Sequence, residues 1–127
     1  MNGRTGALAN KYKFRRERIG DRVVLHCLSS HYHSDCEEVF ETALRDAEAL
    51  AAGGAVVLAL DGVALFSSSA LRALRASHRR LSARGGSIVA AGGGELAVGV
   101  LKFAPFIDHH PSIAAALSAA PISEGDV

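Results

Sequence analysis

Apolar residues along the chain fall into short runs, each closed by glycines, prolines or serines. The strongest run, residues 56–60, lies between Gly53-Gly54 and Asp61-Gly62, the signature of a buried strand. The apolar pattern resumes briefly and reaches three consecutive serines, Ser67, Ser68 and Ser69. Beyond them apolar residues recur at helical spacing as far as residue 83. Serine is a favoured helix N-cap because its hydroxyl satisfies backbone N–H groups that lack partners in the first turn. The stretch therefore reads as strand, short loop, serine-capped helix over 69–83, with hydroxyls at the positive end of a helix dipole. That position suits a plain cap or a phosphate.

The other elements follow in order. Residues 12–19 alternate arginines with apolar residues, as on a half-exposed edge strand, and Gly20-Asp21 turns the chain into a stronger strand over 22–28. SSHYHSD then forms a loop. Ser34, with Glu37 three residues on, makes a capping-box pattern that opens a helix over 35–52. Val39, Phe40, Ala43, Ala47 and Leu50 line one face of it and acids the other, and Gly53-Gly54 ends it. After the serine-capped helix, Gly85-Gly86 leads to a strand over 87–91. Gly92, Gly93 and Gly94 then turn into a short helix over 95–103, closed by Pro105. A short strand over 106–108 precedes an Ala-rich helix with Pro111 as its first residue, ending near Ala120. The order β-β-α-β-α-β-α-(β)-α predicts an α/β sandwich: a mixed sheet of four to five strands packed with about four helices. One domain over 13–120 is expected, with a flexible lead-in, 1–12, and a flexible tail, 121–127.

Length agrees with a single core, since 127 residues bury roughly two-thirds of their unfolded surface. No apolar run reaches the ~18 residues of a membrane span, and residues 1–18 hold no apolar stretch of the secretory type. Two cysteines, Cys27 and Cys36, make no disulfide framework, so a reduced cytoplasm is expected. Net charge is only +1 but is unevenly spread. Acids crowd residues 35–48, while Arg72, Arg75, Arg79, Arg80 and Arg84 occupy 72–84 with no acid among them. Separation of this kind favours an oriented contact with an acidic protein surface over a grip on nucleic acid, which one short basic helix without aromatics tracks poorly.

Candidate chemistry is sparse. His26, Cys27, His31, His33 and Cys36 lie within eleven residues, but His26 and Cys27 point to opposite faces of a strand. His31, His33 and Cys36 fit no zinc spacing, so neither metal nor cofactor is expected. The serines have no adjacent base and no nucleophile elbow, and the triple glycine lacks a phosphate-loop context, so no catalysis is expected either.

VVLALDGVALFSSSAL resembles the central strand, hydroxyl loop and second-helix start of the STAS domain, the fold of anti-sigma factor antagonists. Gly62, Val63, Ser68, Ser69 and Leu71 match that pattern without a gap, and RRLSARGGSIVAAG resembles the next helix end, turn and strand. The resemblance spans residues 13–120 and implies a STAS-type fold in a small protein without catalysis of its own. Such a protein would bind a serine-kinase-like anti-sigma factor or a larger signalling assembly. It further implies Ser68 as phosphoacceptor and Asp61, Ser67, Ser68, Ser69, Arg72, Arg75 and Arg79 as the partner-binding set. Where the family carries acids, this chain has Ser67 and Ala59, and Ala70 stands in a glycine slot. A second expectation is therefore a scaffold module that has lost the switch and associates constitutively, as a homo-oligomer.

Overall fold

The computed structural model describes residues 11–51 and 54–119. A hairpin joins β1 (Phe14–Ile19) to β2 (Arg22–Cys27), with Ile19 opposite Arg22. Gly20 makes the turn at φ 65°, a backbone region that favours glycine. After β3 (His31–Tyr32) and a 3₁₀ turn (Ser34–Cys36) comes α1 (Glu37–Ala51). Then follow β4 (Ala55–Ala59), β5 (Leu65–Phe66), α2 (Ser68–Ala83) and β6 (Ser87–Ala91). The last elements are α3 (Glu95–Leu101), β7 (Asp108–His110) and α4 (Ile113–Ala119).

Five strands form one mixed sheet in the order β1-β2-β4-β6-β7, parallel throughout except for the antiparallel β1 edge. All five residues of β4 are buried, as a central strand covered on both faces requires. Period-two alternation divides its neighbours between two cores. Val23, Leu25, Val56, Leu58, Ile88 and Ala90 face α1, α2 and α3, whereas Val24, Val57, Ala59, Val89 and Ala91 face Ala116 of α4. Because β2, β4, β6 and β7 are parallel, their C-terminal ends deliver the loops at 28–33, 60–67 and 92–94 to one rim.

Several sequence expectations shift. The loop at 29–35 contains β3, which pairs in parallel with β5 as a second, two-stranded sheet. Ser34 lies inside the 3₁₀ turn and does not cap α1; the residue before that turn, His33, makes no side-chain cap. The Ser34 carbonyl is instead taken by Ser69, which fixes this turn against α2. Helix α2 starts one residue earlier than the spacing predicts, and α3 stops at Leu101. The last strand is displaced to 108–110. Pro111 precedes α4 outside it, and Ser112 caps that helix by accepting from Ala115 N at 3.1 Å. Lys11 and Tyr12, assigned to the lead-in, belong to the packed body: Tyr12 is buried and stacks on Tyr32. The expected flexibility of 1–10 and 121–127, and the helix ends at residues 52 and 120, lie outside the described residues.

The buried face of α1 also differs from its hydrophobic pattern. Leu50 is exposed, while Leu44 and Glu48 point inward. Glu48 is tolerated there because α2 meets it with three donors. Ser77 Oγ donates to its Oε2 at 2.6 Å, and Arg80 spans both carboxylate oxygens at 2.7 and 2.8 Å. Arg80 also reaches Glu41 at 2.6 Å, and the Glu48 hydrogen bonds hold its guanidinium pKa above the usual value. A buried carboxylate stripped of such partners is costly, and so are partners stripped of it. Glu48→Ala is expected to destabilise the domain by about 3 kcal/mol. Arg45→Ala, which removes a surface pair with Glu41, should change stability by less than about 0.5 kcal/mol. Urea midpoints at constant slope measure both.

Candidate functional site

The three serines stand at one helix start yet receive different environments. Ser67, with extended backbone (φ −82°, ψ 167°), is the N-cap: its hydroxyl accepts from Ala70 N at 3.4 Å and donates to the His33 carbonyl at 2.9 Å. Ser69 is buried, donates to the Ser34 carbonyl at 2.8 Å and accepts from Arg72 at 3.2 Å. Ser68, the first helical residue, is exposed, and its hydroxyl has no hydrogen-bond partner among the described residues. The arrangement separates two structural hydroxyls from one free hydroxyl at the positive end of a 16-residue helix.

The partner segment of the serines, 31–36, is gripped from its other side. Tyr32 fills the centre of an aromatic cluster with Tyr12, Phe14, Phe40 and Phe66, and its hydroxyl donates to the Lys13 carbonyl at 3.0 Å. Asp35 accepts from Lys11 at 2.7 Å and from the Tyr12 hydroxyl. Lys11 and Tyr12 hold the Asp35 carboxyl below the usual carboxylate range. Burial, reinforced by Asp35, pushes the Tyr12 phenol up, and burial pushes up Tyr32 as well. Cys36 is buried with its Sγ 3.7 Å from Ser67 Oγ, and desolvation raises its thiol above the ordinary value. Cys27 is buried too and raised for the same reason. Both thiols are therefore protonated at neutral pH.

The remaining predicted residues do not all converge. Asp61 is exposed in the turn after β4, against the Gly92 turn, where a side chain at Gly92 would run into its carboxylate. Gly94 N donates to the Val63 carbonyl, so the triple glycine packs against this turn. Ala59, in the slot of a family acid, is buried on the α4 face. Arg72, Arg75 and Arg79 are all exposed; Arg72 pairs with Glu37 at 3.0 Å, Arg75 lies over the Phe106 ring at 5.0 Å, and Arg79 has no ion pair among the described residues. The acid cluster on α1 and the arginines on α2 thus partly neutralise each other across the helix pair. Among the described residues no three His, Cys, Asp or Glu side chains come together in a metal-holding group, and no helix is long and apolar enough to cross a membrane.

Sequence reasoning missed β3, whose pairing with β5 ties the segment at 31–32 to the residues leading into the serines. Its signal is a two-residue match, His31 and Tyr32 against Leu65 and Phe66, too short for periodicity to register.

Two predictions test this geometry. Ser67→Ala should cost about 0.5–2 kcal/mol for the lost cap, and Ser69→Ala about 1–2 kcal/mol for the stranded carbonyl. Ser68→Ala should cost less than about 0.5 kcal/mol, all by chemical denaturation. The second concerns Tyr12 and Tyr32, the chain's two tyrosines. Their folded-state values lie above the unfolded one, so the stability they contribute is whole below pH 10 and falls as pH rises through those values. At pH 10 the native protein should show well under half of the tyrosinate absorbance of the same chain in concentrated urea.

Comparison with models of known protein families gives no match, and comparison with curated proteins gives none. Solved structures do match. An anti-sigma factor antagonist from Mycobacterium paratuberculosis superposes with a TM-score of 0.72 at 19% identity, covering 86% of this chain and 93% of that one. The phosphorylated form of SpoIIAA, the Bacillus cell-fate determinant, gives 0.63 at 16% identity over 84% and 97%. An anti-sigma-factor antagonist (STAS) domain protein from Planctomyces limnophilus gives 0.60 at 17% over 84% and 96%. With sheet order, helix placement and the serine-capped second helix already established, these likenesses fix the architecture: the chain has the STAS-domain fold of the anti-sigma factor antagonist structures.

Proposed function

We propose that the chain is a non-catalytic regulatory domain of the anti-sigma factor antagonist type. In the cytoplasm it binds a kinase-like anti-sigma factor, or a larger signalling assembly, through the serine rim and α2, and phosphorylation of Ser68 releases it. The observation that carries this reading is the unequal fate of the three serines. Ser67 and Ser69 are committed to carbonyls of 33 and 34, while Ser68 alone offers an exposed, uncommitted hydroxyl. A phosphate there adds about −1.5 to −2 charges beside helix N–H groups that accommodate an anion without moving the backbone. Arg72, four residues on along the same helix face, is close enough to turn from Glu37 toward the new charge. A partner that buries the neutral hydroxyl would have to desolvate a dianion, which is prohibitive. SpoIIAA, which shares the fold, has phosphorylated and unphosphorylated structures, and this supports the reading.

The absence of acid at Ser67 and the burial of Ala59 favour a second reading, a scaffold that associates constitutively as a homo-oligomer. Incubation with a co-encoded kinase and ATP separates the two. The switch predicts a mass gain of one phosphate that Ser68→Ala abolishes. Ser68→Asp should lower partner affinity by about 100-fold or more, since like charge or unpaired charge at an interface costs several kcal/mol. No phosphate from any co-encoded kinase, together with full binding by Ser68→Asp, would establish the scaffold instead.

A further inference from the structure

The serine rim carries a second pair of side chains that neither the switch nor the fold uses. His31 opens β3 opposite Leu65, and His33 follows that strand with extended backbone (φ −81°, ψ −176°). Residues two apart in extended chain project from the same side, and here Tyr32 between them points into the core. The two imidazoles are exposed and lie side by side, ring centroids 5.7 Å apart and planes 16° from parallel. Solvent-exposed rings gain little from standing together. Among the described residues no carboxylate takes them up as Glu17 does His26, at 3.0 Å.

We propose that His31 and His33 form a two-imidazole chelating site for a late first-row divalent cation, with Cu²⁺ preferred over Ni²⁺ and Zn²⁺. Imidazole nitrogen is a ligand of choice for these ions, and affinity along the series peaks at copper. Metal–nitrogen bonds of about 2.0–2.1 Å put two neighbouring ligand nitrogens about 3 Å apart. Near-parallel rings at this separation reach that spacing by side-chain rotation alone. His31 Nδ1 lies 2.8 Å from Ser30 Oγ. A proton donated there leaves the Nε2 lone pair free for the ion, the arrangement in which an outer partner fixes a ligating tautomer.

The neighbouring donors do not complete a closed structural site. Cys36, grouped with these histidines by sequence, is buried and set against Ser67. Asp35 spends its oxygens on Lys11 and Tyr12. The ion therefore keeps open positions for water or an incoming carboxylate or phosphate. Because the His33 carbonyl also receives the Ser67 hydroxyl, those positions belong to the rim on which Ser68 stands. The chelate does not depend on Ser68 being phosphorylated, so the two ideas stand or fall separately.

The metal-free chain would be titrated with CuSO₄, and separately with NiCl₂ and ZnCl₂, by calorimetry, with copper paramagnetic resonance reporting nitrogen coordination. One saturable equivalent is expected, with two nitrogen ligands for copper. Replacing either histidine, His31→Ala or His33→Ala, should weaken binding by more than the roughly 10-fold expected for an outer partner, which Ser30→Ala measures. His109→Ala, at the other end of the sequence, should leave binding unchanged. Both histidines are exposed, and unaltered circular dichroism would verify that the variants fold. The proposal is overturned if the native chain shows no saturable binding. It is equally overturned if the His31→Ala/His33→Ala double variant binds as tightly as the native chain, or if His109→Ala removes the binding.

Discussion

Two hydroxyl-to-carbonyl hydrogen bonds hold the serine rim together. Ser67 and Ser69 reach across from the start of α2 to the carbonyls of His33 and Ser34, joining a helix to a turn more than thirty residues earlier in sequence. Neither bond is strong; each contributes about 1 kcal/mol net. Their effect is positional. They tie the start of α2 to the 3₁₀ turn, and they do so from residues on both sides of Ser68. With both neighbours tied to consecutive carbonyls of one segment, the intervening residue faces solvent.

The charge separation in the sequence has a similar resolution. Acids on α1 and arginines on α2 look like two docking surfaces when read as text. Packed side by side, they interlock through Glu37 with Arg72, and through Glu41 and Glu48 with Arg80. Part of the apparent binding potential is therefore spent inside the domain, where burial makes the Glu48 contacts far stronger than surface pairs. The unspent remainder lies at Arg79 and at Arg75, whose guanidinium rests on Phe106. An acidic partner meets a weaker positive field here than a count of arginines suggests.

How much of this was legible follows from the range of the forces. Short apolar runs closed by turn residues gave the sheet, because a strand covered on both faces, as β4 is, is apolar at every position. Serine chemistry gave the start of α2 to within one residue. Contacts between distant segments were not legible. Nothing in the run around His31 announces that it pairs with Leu65, and nothing near Glu48 shows that Ser77 and Arg80 wait for it. For the same reason Ser34 looked like a cap, since a capping box is a local pattern while the demand on its carbonyl comes from Ser69. Pro111 failed in the opposite way: Ser112, one residue on, supplies a better cap, and a local preference yielded to a stronger local one.

The loss of the acid beside the acceptor has a physical consequence for the proposed switch. An aspartate at position 67 would stand next to a phosphate on Ser68, and two like charges at that spacing repel unless cations screen them. Ser67 removes that repulsion and keeps its hydroxyl on the His33 carbonyl, so the modified state costs the fold less. The helix dipole and Arg72 then act on the phosphate without competition from a neighbouring carboxylate. In the proposed switch, the same substitution leaves no acid at position 67 for a kinase's metal–nucleotide, which would slow addition of the group. In the proposed switch, a modified state that costs the fold less and forms more slowly would persist once it is made.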